Sequence, residues 1–90
     1  MLSSYYKNLA FEAFGEHFYG KTPSQVLYHF KARSPFYRDK PIRDYADYLA
    51  GANGAPAMMA DESFEAYAER LFDHLIAQNI VTFEGSNVTH

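Results

Sequence analysis

The chain has 90 residues, 48% hydrophobic and 18% aromatic, with eight Phe and eight Tyr, enough apolar material to exclude a disordered chain. A chain this short buries only roughly 60–65% of its unfolded surface, which allows one modest core and argues against an enzyme with a deep private cleft. No cysteine is present to form disulfides or thiolate metal sites, and the formal charge of −3 is unevenly spread: Lys21, Lys31, Arg33, Arg38, Lys40 and Arg43 face only Asp39 within residues 21–43, a net +5 against −8 elsewhere.

The N-terminus, Met1 to Lys7, lacks the basic-then-apolar layout of a signal peptide, and no apolar run approaches the ~20 residues needed to cross a bilayer. A soluble, unexported, cytoplasmic protein is expected. A first helix is predicted over residues 4–19, with Ser3 or Ser4 as N-cap and Gly20 as its left-handed end. Tyr6, Leu9, Ala10, Ala13, Phe14 and Phe18 recur at helical spacing, while Phe11 falls off that face. A second helix opens on a capping box, with Thr22 as N-cap, Pro23 at the first helical position and Gln25 as reciprocal partner; Val26, Leu27 and Phe30 are its core face.

The tract from Ser34 to Pro41 holds two prolines and reads as a turn or short helical kink. A third helix starts near Pro41, with Ile42, Tyr45, Ala46 and Leu49 as its stripe and Gly51 as its stop. Residues 51–57 are small residues and breakers, the longest loop and the segment expected to be most mobile and most open to protease. Asp61 or Ser63 begins a fourth, central helix with Phe64, Ala68, Leu71 and Leu75 on a broad apolar face. The β-branched run Ile80-Val81-Thr82-Phe83 and a turn at Gly85-Ser86 predict a short hairpin into Asn87-Val88-Thr89-His90. The expectation is therefore one mainly α domain over residues 1–90, with four helices and a C-terminal β-hairpin. Leu9, Phe14, Val26, Phe30, Leu49, Leu71, Leu75 and Phe83 are its expected core.

Helix order and the tail carry a resemblance. Leu71, Leu75 and Ile76, then Asn79-Ile80-Val81, then Gly85-Ser86-Asn87-Val88 resemble the end of winged-helix regulators, where the last helix meets the wing. The likeness covers residues 61–90, and the rest only as helix order. It implies a winged-helix-like fold whose last helix enters the major groove, where Arg, Lys, Asn or Gln are needed. Here that helix carries Asp61, Glu62, Glu65, Glu69 and Asp73 against Arg70 and His74, so phosphate would repel it and the usual DNA role is lost or relocated.

The basic segment 21–43 interleaves its charges with Tyr28, Phe30, Phe36, Tyr37 and Tyr45. The plain reading is a solvated helix face with core aromatics beneath; the functional reading is a contact surface for protein or, second, for nucleic acid. Phe36 and Tyr37 cannot both reach a core that helical faces already fill, so one is expected outside, ringed by cations. Arg33, Phe36, Tyr37, Arg38, Lys40 and Arg43 are the expected partner-binding residues. Enzyme readings find less support. Glu65, Glu69 and Asp73 lie at spacing four on one helix as a solvated stripe, with His74 next to Asp73; His17, His29, His74 and His90 fall on separate elements without metal-ligand spacing. No catalytic residue, cofactor or metal is expected.

In being small, acidic, Tyr-rich, cysteine-free and without motifs, the chain is similar in composition to mobile-element proteins that block host machinery, anti-CRISPR proteins included. That likeness implies a small regulator or inhibitor docking on a larger protein or nucleoprotein assembly. The alternative is a winged-helix-like nucleic-acid-binding regulator that uses segment 21–43.

Overall fold

The computed structural model describes residues 8–87. Their order is β1 (Asn8–Ala13), β2 (Glu16–Gly20), α1 (Pro23–Ala32), α2 (Ile42–Ala52), α3 (Phe64–Ala77) and β3 (Thr82–Asn87). Three helices thus pack together with a three-stranded antiparallel sheet of order β2-β1-β3. This replaces the expected four-helix, winged-helix-like arrangement at both ends of the chain.

At the N-terminal end, the predicted helix 4–19 is a hairpin from residue 8 onward; Ser3, Ser4 and Tyr6 lie outside the described residues. Leu9, Phe11 and Ala13 are buried while Glu12 and Phe14 are exposed, a period of two rather than 3.6. Phe11, the misfit of the helical reading, is the centre of the strand reading. It is fully buried, with ring centroids 4.9 Å from Phe72 and 5.2 Å from Phe83. Phe14 and Gly15 form the two-residue connection, with φ of 55° and 77°. Positive φ at both central residues is the type I′ turn, whose twist matches paired strands. A helix would instead carry Gly15 in its interior at a cost of roughly 1 kcal/mol.

At the C-terminal end, Gly85 and Ser86 are not a turn. They continue β3 and pair with Ala10 and Leu9 of β1, so the last strand returns after the three helices to pair with the middle strand as an edge of the sheet. The proposed second arm lies, from Val88 on, outside the described residues. Between the pairs Ala10↔Gly85 and Phe11↔Phe83 the register slips by one residue, leaving Glu84 as a bulge.

The helices follow their local signals more closely. Thr22 caps α1, accepting from the Gln25 amide at 3.3 Å, while the Gln25 side chain accepts from Lys21 at 2.8 Å rather than from the cap residue itself. Ser63 caps α3 through the Ala66 amide at 3.1 Å. Gly51 lies inside α2; the stop comes at Gly54, whose φ of 71° lets the Ala55 amide bond back to Ala50 at 2.8 Å. Asn79, with φ of 60°, ends α3 in the same way and turns Ile80 and Val81 into β3.

Leu9, Val26, Phe30, Leu49, Leu71 and Leu75 are all buried as expected, whereas Phe83 is partly buried and Phe14 is 61% exposed. Phe30 is the hub, 4.4 Å from Phe18 and 5.3 Å from Phe72, which joins the sheet to α1 and α3. Each such side chain contributes roughly 1.5–3 kcal/mol by leaving water.

Candidate interaction surface

The connection from α1 to α2 is a tight coil of turns, in which the Arg38 amide bonds to the Ser34 carbonyl at 3.0 Å and the Lys40 amide to that of Tyr37 at 3.0 Å. Lys31 donates from Nζ to the Arg38 carbonyl and pins the coil onto α1. With that backbone held, its two aromatic side chains part. Tyr37 turns inward and stacks on Tyr48 of α2, with centroids 4.9 Å apart and rings 25° from parallel. Phe36 turns outward and is 82% exposed. A large apolar ring held at that exposure forgoes the gain of burial.

The other expected site residues surround it unevenly. Arg33 caps α1 and reaches Glu16 of β2 at 3.0 Å. Arg38 comes no nearer than 3.9 Å to Asp39, and Arg43 pairs with Asp47 one turn along α2 at 3.1 Å. Among the described residues no carboxylate pairs with Lys40. Exposed ion pairs of this kind contribute about 0–1 kcal/mol, so a partner's carboxylate can displace them at little cost.

Two grooves adjoin this coil. One, of about 500 Å³, runs past Phe36, Tyr37 and Lys40. The other, of about 360 Å³, lies between the hairpin tip and α2, with Phe14 and Tyr48 at its walls and Leu49, Leu75 and Ile80 among its lining. They share Ser34 and Tyr48, and among the described residues neither is lined by an acidic one; Lys40 lines the first and Arg33 the second. Tyr45 also lines the cleft, and burial, aided by the neighbouring Tyr48, pushes its phenol up to about 12, so it stays neutral. Arg43 lines neither groove.

Phe14, Tyr48, Leu49 and Ile80 were not among the expected site residues. The alternation Leu9, Phe11, Ala13 ending on Phe14-Gly15 is the signal that would have placed Phe14 at a hairpin tip. Its φ of 55° is unusual for an aromatic residue, and the left-handed region costs a side-chain-bearing residue roughly 1–2 kcal/mol. The ring gains an edge contact with Phe30 at 5.5 Å and remains mostly in solvent.

Other polar clusters are turned to the fold. Arg70 grips Glu62 with two nitrogens, at 2.7 and 2.9 Å, and donates to the Pro56 and Ala57 carbonyls at 3.2 and 3.1 Å. This hydrogen bonding holds the Glu62 carboxyl below its ordinary range. Glu65 accepts from the buried Ser24 hydroxyl, tying the start of α3 to that of α1. Part of the predicted solvated acidic stripe is therefore structural. On the outer face of the sheet the bulge directs Glu84 to His17 Nδ1 at 2.7 Å, and that hydrogen bond, with the charges of Glu84 and Glu12, raises the imidazole pKa. Among the described residues no group of His, Asp or Glu is placed to hold a metal ion, and no helix is long and apolar enough to cross a membrane. No protein-family model matches the chain, and no match is found among curated proteins or among solved structures.

Proposed function

We propose that this chain is a non-enzymatic interaction module, a small regulator or inhibitor that docks on a larger protein or nucleoprotein assembly through the surface of residues 33–43. The supporting observation is Phe36: a ring 82% exposed on a backbone coil held by hydrogen bonds, with Lys40 lining the same groove. An exposed aromatic supplies area to bury, and guanidinium groups supply orientation and pairing to carboxylates. The reversal Arg38→Glu with Arg43→Glu tests this reading, by affinity capture from the native host with wild type and variant side by side. Loss of the wild-type partner with an unchanged melting temperature is expected. Retention of the partner would move the interface elsewhere, first to Glu69 and Asp73 on the far side of α3.

A nucleic-acid reading draws on the same surface, since exposed Phe36 and Tyr48 beside Lys40 also compose a platform for unstacked bases. It requires binding to arbitrary DNA that falls steeply with salt. The protein reading predicts no such binding.

A further inference from the structure

We infer that the cleft between the hairpin tip and α2 receives an apolar side chain from a partner protein's segment, flanked in that segment by carboxylates. This rests on the docking reading above and names the occupant. Phe14 supplies the first observation. Its position in the turn favours Asn, Asp or Gly, yet an aromatic residue stands there at φ 55° and 61% exposed. Phe30 is packed more closely by Phe18 and Phe72, at 4.4 and 5.3 Å, than by the edge of Phe14 at 5.5 Å. What the strained ring does provide is part of the lining of a cleft, together with Tyr48, Leu49, Leu75 and Ile80. Strain retained on a ring left mostly in solvent points to a contact made outside the chain.

Charge supplies the second observation. Among the described residues Arg33 is the one charged residue lining this cleft, and Lys40 the one lining the adjoining groove. A segment lying across both meets two cations at the rims of an apolar trough, which fits an apolar anchor with Asp or Glu beside it. A polynucleotide fits less well. It presents a charge at every step and needs a cation for each phosphate tracked, whereas among the described residues these two grooves are lined by one cation each, Arg33 and Lys40.

The test is selection of random short peptides displayed on phage against the full chain, followed by binding of synthetic versions of the enriched peptides to wild type, Phe14→Asn, Tyr48→Ser and Phe36→Ser. Oligothymidylate is the competing probe. Enriched peptides should carry an aromatic or aliphatic anchor next to Asp or Glu. Phe14→Asn should weaken them by about tenfold or more while raising the melting temperature, because Asn tolerates the turn better. Tyr48→Ser, in the same lining, should weaken them as well. Enrichment without acidic bias, unchanged affinity in both cleft variants, or tighter binding of oligothymidylate than of any peptide would overturn the inference. Peptides lost by Phe36→Ser but kept by both cleft variants would remove this inference and leave the docking reading standing; no enrichment at all would count against both.

Discussion

Two connections join the helices, and they use their polar groups in opposite directions. The one from α2 to α3, residues 53–63, is built of small residues, yet the surrounding side chains turn inward to hold it. Arg70 fastens its middle through Glu62, Pro56 and Ala57, the Asn53 side-chain amide donates to the Leu49 carbonyl at 2.9 Å, and the Asn53 carbonyl lies 2.9 Å from His74 Nε2. The one from α1 to α2 is rich in large and charged residues, and it spends few of them on the fold. Its backbone holds itself, and Phe36, Arg38 and Lys40 are left outside. Composition alone suggests the opposite assignment of order to the two loops. What decides is where the hydrogen-bonding and stacking groups point.

The largest effect should come from the buried face of α3. Leu71 is 1% exposed, and Leu71→Ala should cost about 2–5 kcal/mol in a denaturant titration, through lost transfer energy and a residual cavity. Next in size, Arg70→Ala should release 53–62 and shift first cleavage in limited proteolysis into that loop. In wild type, the clamp should protect it despite its small residues. Cleavage of wild type at 53–57 as fast as in the variant would erase the contrast between the loops.

Proton linkage gives smaller effects of opposite sign. Glu62 has a lowered pKa when folded, so the clamp's contribution is present above its ordinary value of 4.5 and is lost as pH falls through the folded value. The 53–62 loop should open in acid before the 33–41 coil does. His17 has a raised pKa, so its tie to Glu84 is present below the ordinary 6.5 and is lost as pH rises through the folded value. An NMR titration of His17 should give a midpoint above 6.5, returning toward it in Glu84→Gln. The smallest expected change in stability is at Phe36, where replacement by Ser should shift unfolding by less than ~0.5 kcal/mol.

The helical middle of this fold was legible because its signals are local. Thr22-Pro23, the stripe of α2 and Ser63 with the apolar face of α3 each act within a turn or two of helix. The ends were not, because β1 finds its partners in β2 and, across the whole helical layer, in β3. The alternation of Leu9, Phe11 and Ala13 was present, but Leu9, Ala13 and Phe18 also fit a helical face. Only Phe11 distinguished the two, since a strand buries it and a helix does not. At the C-terminus, Gly85-Ser86 reads as a turn when no partner strand is in view. The misreading at 8–20 then hid half of the candidate site, because a helix leaves Phe14 in the core and a hairpin carries it to the rim of the cleft. The basic and aromatic residues at 33–43 were visible as composition; the grooves around them depend on α2 and the hairpin arriving from elsewhere in the chain.

The central claim is that Phe36, Arg38 and Lys40 face outward for a partner while the fold stands without them. The direct test is a pair of measurements on Phe36→Ser: unfolding in denaturant, and binding to the protein captured by wild type. Unfolding within ~0.5 kcal/mol of wild type together with loss of the captured partner is the predicted result. A variant that unfolds markedly earlier, or one that keeps the partner, would contradict it.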